Sequence, residues 1–135
     1  MTSPDALAVS VRVAAPPTAV FPYLIDPALV IQWIGEWADL DPRPGGTFAL
    51  DINKTPVRGE YVEVDQPHRV VFTWGVPGRE GLEPGSTTVE IVLTADGDET
   101  LVELFHHGLP VEERASHLEG WIEMLGHLPG VVSSS

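Results

Sequence analysis

His106, His117 and the tryptophans Trp33, Trp37, Trp74 and Trp121 are the side chains of this sequence best equipped to recognise a small molecule. An imidazole titrates near neutral pH and can donate or accept a hydrogen bond at either nitrogen, so it can orient a polar group or carry a proton. An indole supplies a flat apolar wall with a single donor. His106 and His107 stand side by side in a segment that reads as a strand, where successive side chains point to opposite faces. They are therefore not expected to hold one metal ion together, and no metal site is expected. Val102, Leu104 and His106 share one face of that strand, and His107 shares the other with Phe105 and Glu103.

His117 lies four residues before Trp121 and seven before Met124, the spacing of one helical face. A helix over residues 111–128 carries that face, with Leu118, Trp121, Ile122, Leu125 and Leu128 as its apolar stripe and Glu112, Glu119 and Glu123 opposite. Pro129-Gly130 is expected to end it, leaving 130–135 as a frayed tail and 8–129 as the ordered core. Upstream, the alternation of Val9, Val11 and Val13 with Ser10 and Arg12 predicts a strand over 8–15. Two short helices follow, over 18–25 and 27–33, the first bent or shortened by Pro22 and the second capped by Asp26 and ended by Gly35. Strands are then expected over 47–52, 57–64, 69–75, 87–95 and 100–107, joined by short turns that favour antiparallel pairing. The glycine-rich connection 76–86 reads as a flap.

The 135 residues are 43% apolar, enough for the core of a single domain spanning 1–135. Twenty acidic against seven basic residues give a net charge of -13, which disfavours nucleic acid and anionic membrane surfaces as partners. With no cysteine, disulfides, thiol chemistry and zinc-thiolate sites are excluded, and a cytoplasmic location is expected. No phosphate loop, nucleophile elbow or dinucleotide fingerprint is present, so no cofactor is expected.

The order of elements, an α+β arrangement of a curved antiparallel sheet of about six to seven strands around one long C-terminal helix, resembles the helix-grip fold of the START and birch-pollen-allergen (SRPBCC) superfamily. Within it, residues 11–33, Asp41-Pro42-Arg43-Pro44-Gly45-Gly46, Val70-Val71-Phe72-Thr73-Trp74, His106-His107-Gly108-Leu109-Pro110 and Gly120-Trp121 are similar to the activator of Hsp90 ATPase homologue 1-like family. The resemblance implies an inner pocket between sheet and helix, with His106, His117, Gly120 and Trp121 around it.

The expected function is binding of a small apolar or aromatic ligand in that cavity, by Trp33, Phe72, Trp74, Leu104, His106, His117, Gly120, Trp121 and Met124. One alternative is an enzyme of cyclase, hydrolase or dehydratase type, with His106 or His117 as general acid or base. Another is an interaction module, cochaperone-like or homodimeric, whose acidic surface steers a partner. For each aromatic residue, plain core packing is the competing role.

Overall fold

The computed structural model describes residues 6–133, which form a seven-stranded antiparallel sheet of order β1-β7-β6-β5-β4-β3-β2 wrapped against one long helix. The strands are β1 (Leu7–Val13), β2 (Trp37–Leu40), β3 (Thr47–Ile52), β4 (Thr55–Asp65), β5 (Arg69–Trp74), β6 (Thr87–Asp96) and β7 (Glu99–His107). Two four-residue helices, α1 (Pro17–Val20) and α2 (Pro27–Val30), follow β1, and α3 (Val111–Ser133) closes the fold.

The sheet takes its inner face from strict alternation. In β6 and β7, Val89, Ile91, Leu93, Val102, Leu104 and His106 are buried, while their neighbours in sequence face outward. A bulge in β4 between Tyr61 and Glu63 breaks the regular register with β5, the kind of irregularity that adds twist to a sheet closing on a helix. Rings from three strands fill the centre: Phe48 stacks on Phe72 at 3.8 Å and meets Tyr61 edge-on at 5.6 Å.

The region of the short helices obeys its prolines. α1 stops at Val20, and Pro22 sits in a following 3-10 turn, Phe21–Leu24. The Asp26 carboxylate caps α2 by accepting from the Ala28 N–H at 2.9 Å. α2 is shorter than the spacing predicted, because the chain turns through Trp33 to Gly35 at a φ of +76°, where a Cβ would meet the Asp51 carbonyl at 2.5 Å. Side-chain donors fasten this region to its surroundings: Trp33 Nε1 to the Tyr23 carbonyl at 2.8 Å and Tyr61 Oη to that of Leu24 at 3.1 Å.

Three expectations are corrected. β2 was not anticipated; it is a short edge strand whose Trp37 remains 44% exposed. α3 does not stop at Pro129 but runs through it to Ser133, because Leu128 and Val132 continue the buried line of Trp121 and Leu125. Tertiary burial outweighs the backbone bond a proline removes near a helix end. Gly130–Ser133 are therefore helix, and the last two residues of the expected tail lie outside the described residues. Leu118 and Ile122 leave the buried stripe, at 39% and 56% exposed. The connection 76–86 is a folded loop: Leu82 is fully buried, and the Val76 N–H donates to its carbonyl at 2.6 Å. Among the described residues, no helix is long and apolar enough to cross a membrane.

Candidate functional site

His106 is reached from four elements. β7 turns it inward, opposite Val89 of β6, and Thr87 at the start of β6 lies beside it. Trp121 comes from α3, and its Nε1–H donates to His106 Nδ1 at 3.0 Å. An indole nitrogen only donates, so Nδ1 must carry the lone pair and the imidazole proton must sit on Nε2. That proton is donated to Thr87 Oγ1 at 2.9 Å, and the Thr87 hydroxyl donates onward to the Trp74 carbonyl of β5 at 2.8 Å. Both nitrogens are thereby occupied, and the residue is fully buried. Burial first, then the neighbouring His117 and His107, lowers its pKa to about 3, so it stays neutral at physiological pH. His107, on the outer face, instead lies 3.4 Å from Glu90.

His117 differs in one decisive respect. Its Nδ1 lies 2.9 Å from the Glu113 carbonyl one helical turn earlier, an acceptor that requires Nδ1 to carry the proton. In the neutral imidazole Nε2 then holds the lone pair, and it has no hydrogen-bond partner among the described residues. The ring sits edge-on to His106, centroids 5.4 Å apart, and 6.4 Å from the Trp74 ring.

A cleft opens between this face of α3 and the turn joining β3 to β4. One lobe, about 330 Å³, is lined by Trp74, Val76, His117, Gly120, Trp121 and Met124, with Ile52, Asn53 and Thr55 from the turn. A second lobe, about 480 Å³, shares Ile52, Asn53, Gly120 and Met124 with the first and adds Trp33, Glu36, Glu123 and His127. Gly120 is the reason the lobes meet: a Cβ placed there would touch only Met124 Cε, at 3.9 Å. Trp74 contributes a further feature, since its Nε1–H is buried without any acceptor. An unmet buried donor costs on the order of 1–3 kcal/mol.

The structure thus brings Trp74, His117, Gly120, Trp121 and Met124 together, and places Trp33 in the adjoining lobe. It does not bring Phe72, Leu104 or His106 to the cleft. Those three are enclosed where sheet and helix meet, and the void beside Phe72 and Trp121 measures only about 10 Å³. The accessible space lies at the side of the helix rather than beneath it. Among the described residues, no three His, Asp or Glu side chains converge as metal ligands.

Residues of the turn were missed from the sequence. Asn53 and Lys54 both have positive φ, as a tight two-residue hairpin turn requires, and their N–H groups donate to the two Glu36 carboxylate oxygens at 2.7 and 2.8 Å. Glu36 therefore holds the outer wall of the cleft in place. An asparagine between two strand-like runs was the available signal for the turn; its approach to α3 had none. Arg79, from the 76–86 loop, also lines the first lobe and lies 3.4 Å from the Glu113 carboxylate.

A helix gripped by an antiparallel sheet, with a cleft along its side, defines the helix-grip class. The family model for activator of Hsp90 ATPase homolog 1-like proteins matches residues 14–133, and the chain belongs to that family. Among solved structures it is similar to MLL2253 from Mesorhizobium loti, at 17% identity and a TM-score of 0.86, with 96% of this chain and 98% of that one covered. CalU16 from Micromonospora echinospora is 28% identical with a TM-score of 0.78, over 95% of this chain and 76% of that one. DynU16, a putative protein in the dynemicin biosynthetic locus, is 24% identical with a TM-score of 0.82, over 98% of this chain but 48% of its own. No curated protein matches the sequence significantly.

Proposed function

We propose that the protein binds a small aromatic ligand in the cleft beside α3, with the ring against Trp121 and Trp74 and a hydroxyl donating to His117 Nε2. The observation that carries this reading is the pairing of an open glycine, Gly120, with an imidazole whose second nitrogen has no protein partner. Burying a bicyclic ring against indole and aliphatic walls supplies the main driving force, and the fixed tautomer of His117 selects a donor over an acceptor. The place of DynU16 in a biosynthetic locus, said of that protein, is compatible with small-molecule handling.

His106 is a positioning residue in this account, fixing the Trp121 indole that forms the cleft wall. Of the two histidines the enzyme reading named, only His117 reaches the cleft, since both nitrogens of His106 are taken.

Calorimetric titration with α-naphthol tests the proposal. The wild type is expected to bind it, and Gly120→Leu, whose side chain enters the open cleft, to lose affinity by roughly tenfold or more. Unchanged affinity in a folded Gly120→Leu protein would refute the location. Trp121→Ala is a poorer test, because removing a buried tryptophan costs about 3–5 kcal/mol of stability.

A further inference from the structure

Beside the cleft, one carboxylate oxygen is shared between two basic side chains. Glu113 Oε1 lies 3.4 Å from the Arg79 guanidinium and 3.7 Å from His117 Nδ1, and among the described residues no other basic side chain comes within ion-pair distance of it. The Nδ1 proton goes instead to the Glu113 carbonyl, at 2.9 Å. Arg79 is brought there by the 76–86 loop. Gly78 and Gly81 flank it at φ of +83° and +82°, the Arg79 N–H donates to the Val76 carbonyl, and the Leu82 N–H donates to the Arg79 carbonyl, each at 3.1 Å. The fully buried Leu82 anchors this turn in the core. Arg79 and His117 line the same lobe.

We infer that Arg79 is a positioning residue for His117: by engaging Glu113 it keeps the carboxylate off the imidazole, so that His117 meets its ligand as a neutral hydrogen-bond acceptor. The part that concerns the ligand rests on the binding reading given above. A carboxylate turned to Nδ1 would favour the imidazolium, in which both nitrogens donate and Nε2 no longer accepts from a hydroxyl. The other groups around the ring leave this choice to Arg79 and Glu113. His106 of β7, edge-on at 5.4 Å, is neutral with both nitrogens taken. Trp74 of β5 carries no charge, and the β3–β4 turn lines the lobe with Ile52, Asn53 and Thr55, none of them ionisable. An ion pair whose arginine is 46% exposed is weak, so a displacement of the 76–86 loop suffices to hand Glu113 to His117. The loop thereby sets whether the cleft selects a donor or an acceptor.

The test follows the His117 ring signals of the full chain by NMR from about pH 8 to about pH 5. Arg79→Gln should move the His117 titration to higher pH than in the wild type, and Arg79→Lys, which keeps the charge, should bring it back. In a Glu113→Gln background the same Arg79→Gln change should move it much less, because the carboxylate is the intermediary. Arg43→Gln, an equal loss of charge in the turn before β3, should leave it in place. An unchanged titration in Arg79→Gln, or an equal shift with and without Glu113, overturns the inference. Calorimetry then compares α-naphthol, which donates, with α-methoxynaphthalene, which only accepts. The wild type should prefer the naphthol several-fold at about pH 6; Arg79→Gln should lose that preference there and regain it at about pH 8. A preference that Arg79→Gln leaves intact at the lower pH overturns the inference as well. Failure of both compounds to bind contradicts the binding reading, and the NMR titration still decides the role of Arg79.

Discussion

The indole N–H of Trp121 donates to Nδ1 of His106 at 3.0 Å, and this one bond decides what each of the two histidines on the inner side can do. It consumes the lone pair of His106 and leaves His117, whose Nδ1 proton is held by the Glu113 carbonyl, as the imidazole with an open acceptor.

A pH dependence of stability follows. In the unfolded chain His106 takes up a proton near pH 6.5, whereas in the fold it resists protonation down to about 3. Below about pH 6.5 the unfolded state binds more protons, so the neutral, buried His106 lowers stability by about 1.4 kcal/mol per pH unit as the pH falls towards 3. Above that window its contribution is constant. Urea unfolding of wild type and His106→Gln from about pH 7 to about pH 4.5 should show a shallower acid loss in the variant. Identical slopes would contradict the account. Nitrogen NMR of the wild-type imidazoles provides a check that needs no variant: at about pH 5 His106 should still be the neutral Nε2–H tautomer.

Gly120 lies inside a helix, where glycine is the weaker choice. Since a Cβ there meets only Met124 Cε at 3.9 Å, Gly120→Ala should raise stability by about 0.5–1 kcal/mol in urea unfolding. A loss of stability would show that the space beside Gly120 is not open.

Glu36 joins the exit of α2 to the tip of the β3–β4 turn. Glu36→Gln keeps one acceptor oxygen and removes the charge, and should cost about 1 kcal/mol. The loss should be local, read as faster hydrogen exchange at the Asn53 and Lys54 amides, with β6 and β7 protected as before. Unchanged exchange at both amides would count against the clamp.

The end of α3 is set by burial of Val132, at 6% exposed. Val132→Ser should lower stability by about 1–2 kcal/mol and release amide protection after Pro129. Retained protection there would mean that the helix holds its last turn without this contact.

Much of this was legible because it depends on local pattern. Alternation identified β1 and β3 to β7, prolines marked the breaks around Pro22 and Pro27, and helical spacing put His117, Trp121 and Met124 together. β2 escaped because a four-residue edge strand, half of it exposed, leaves too little alternation to read. Pro129 misled because its local preference opposed a stripe that only the folded sheet could bury. Leu118 and Ile122 lie on the flank of α3 away from the cleft, and helical period alone could not say which flank the sheet covers. The same limit applies to the site. His106 and Trp121 were visible as candidates, but which nitrogen carries each proton depends on Thr87, Trp74 and Glu113, contacts made only in three dimensions.

The most direct test of the central claim is an NMR titration with α-naphthol that follows the four indole N–H signals and the Gly120 amide. Binding beside α3 should shift Trp74, Trp121 and Gly120, and leave Trp37, out on β2, in place. Shifts confined to Trp37, or none at all, would contradict a ligand site between α3 and the β3–β4 turn.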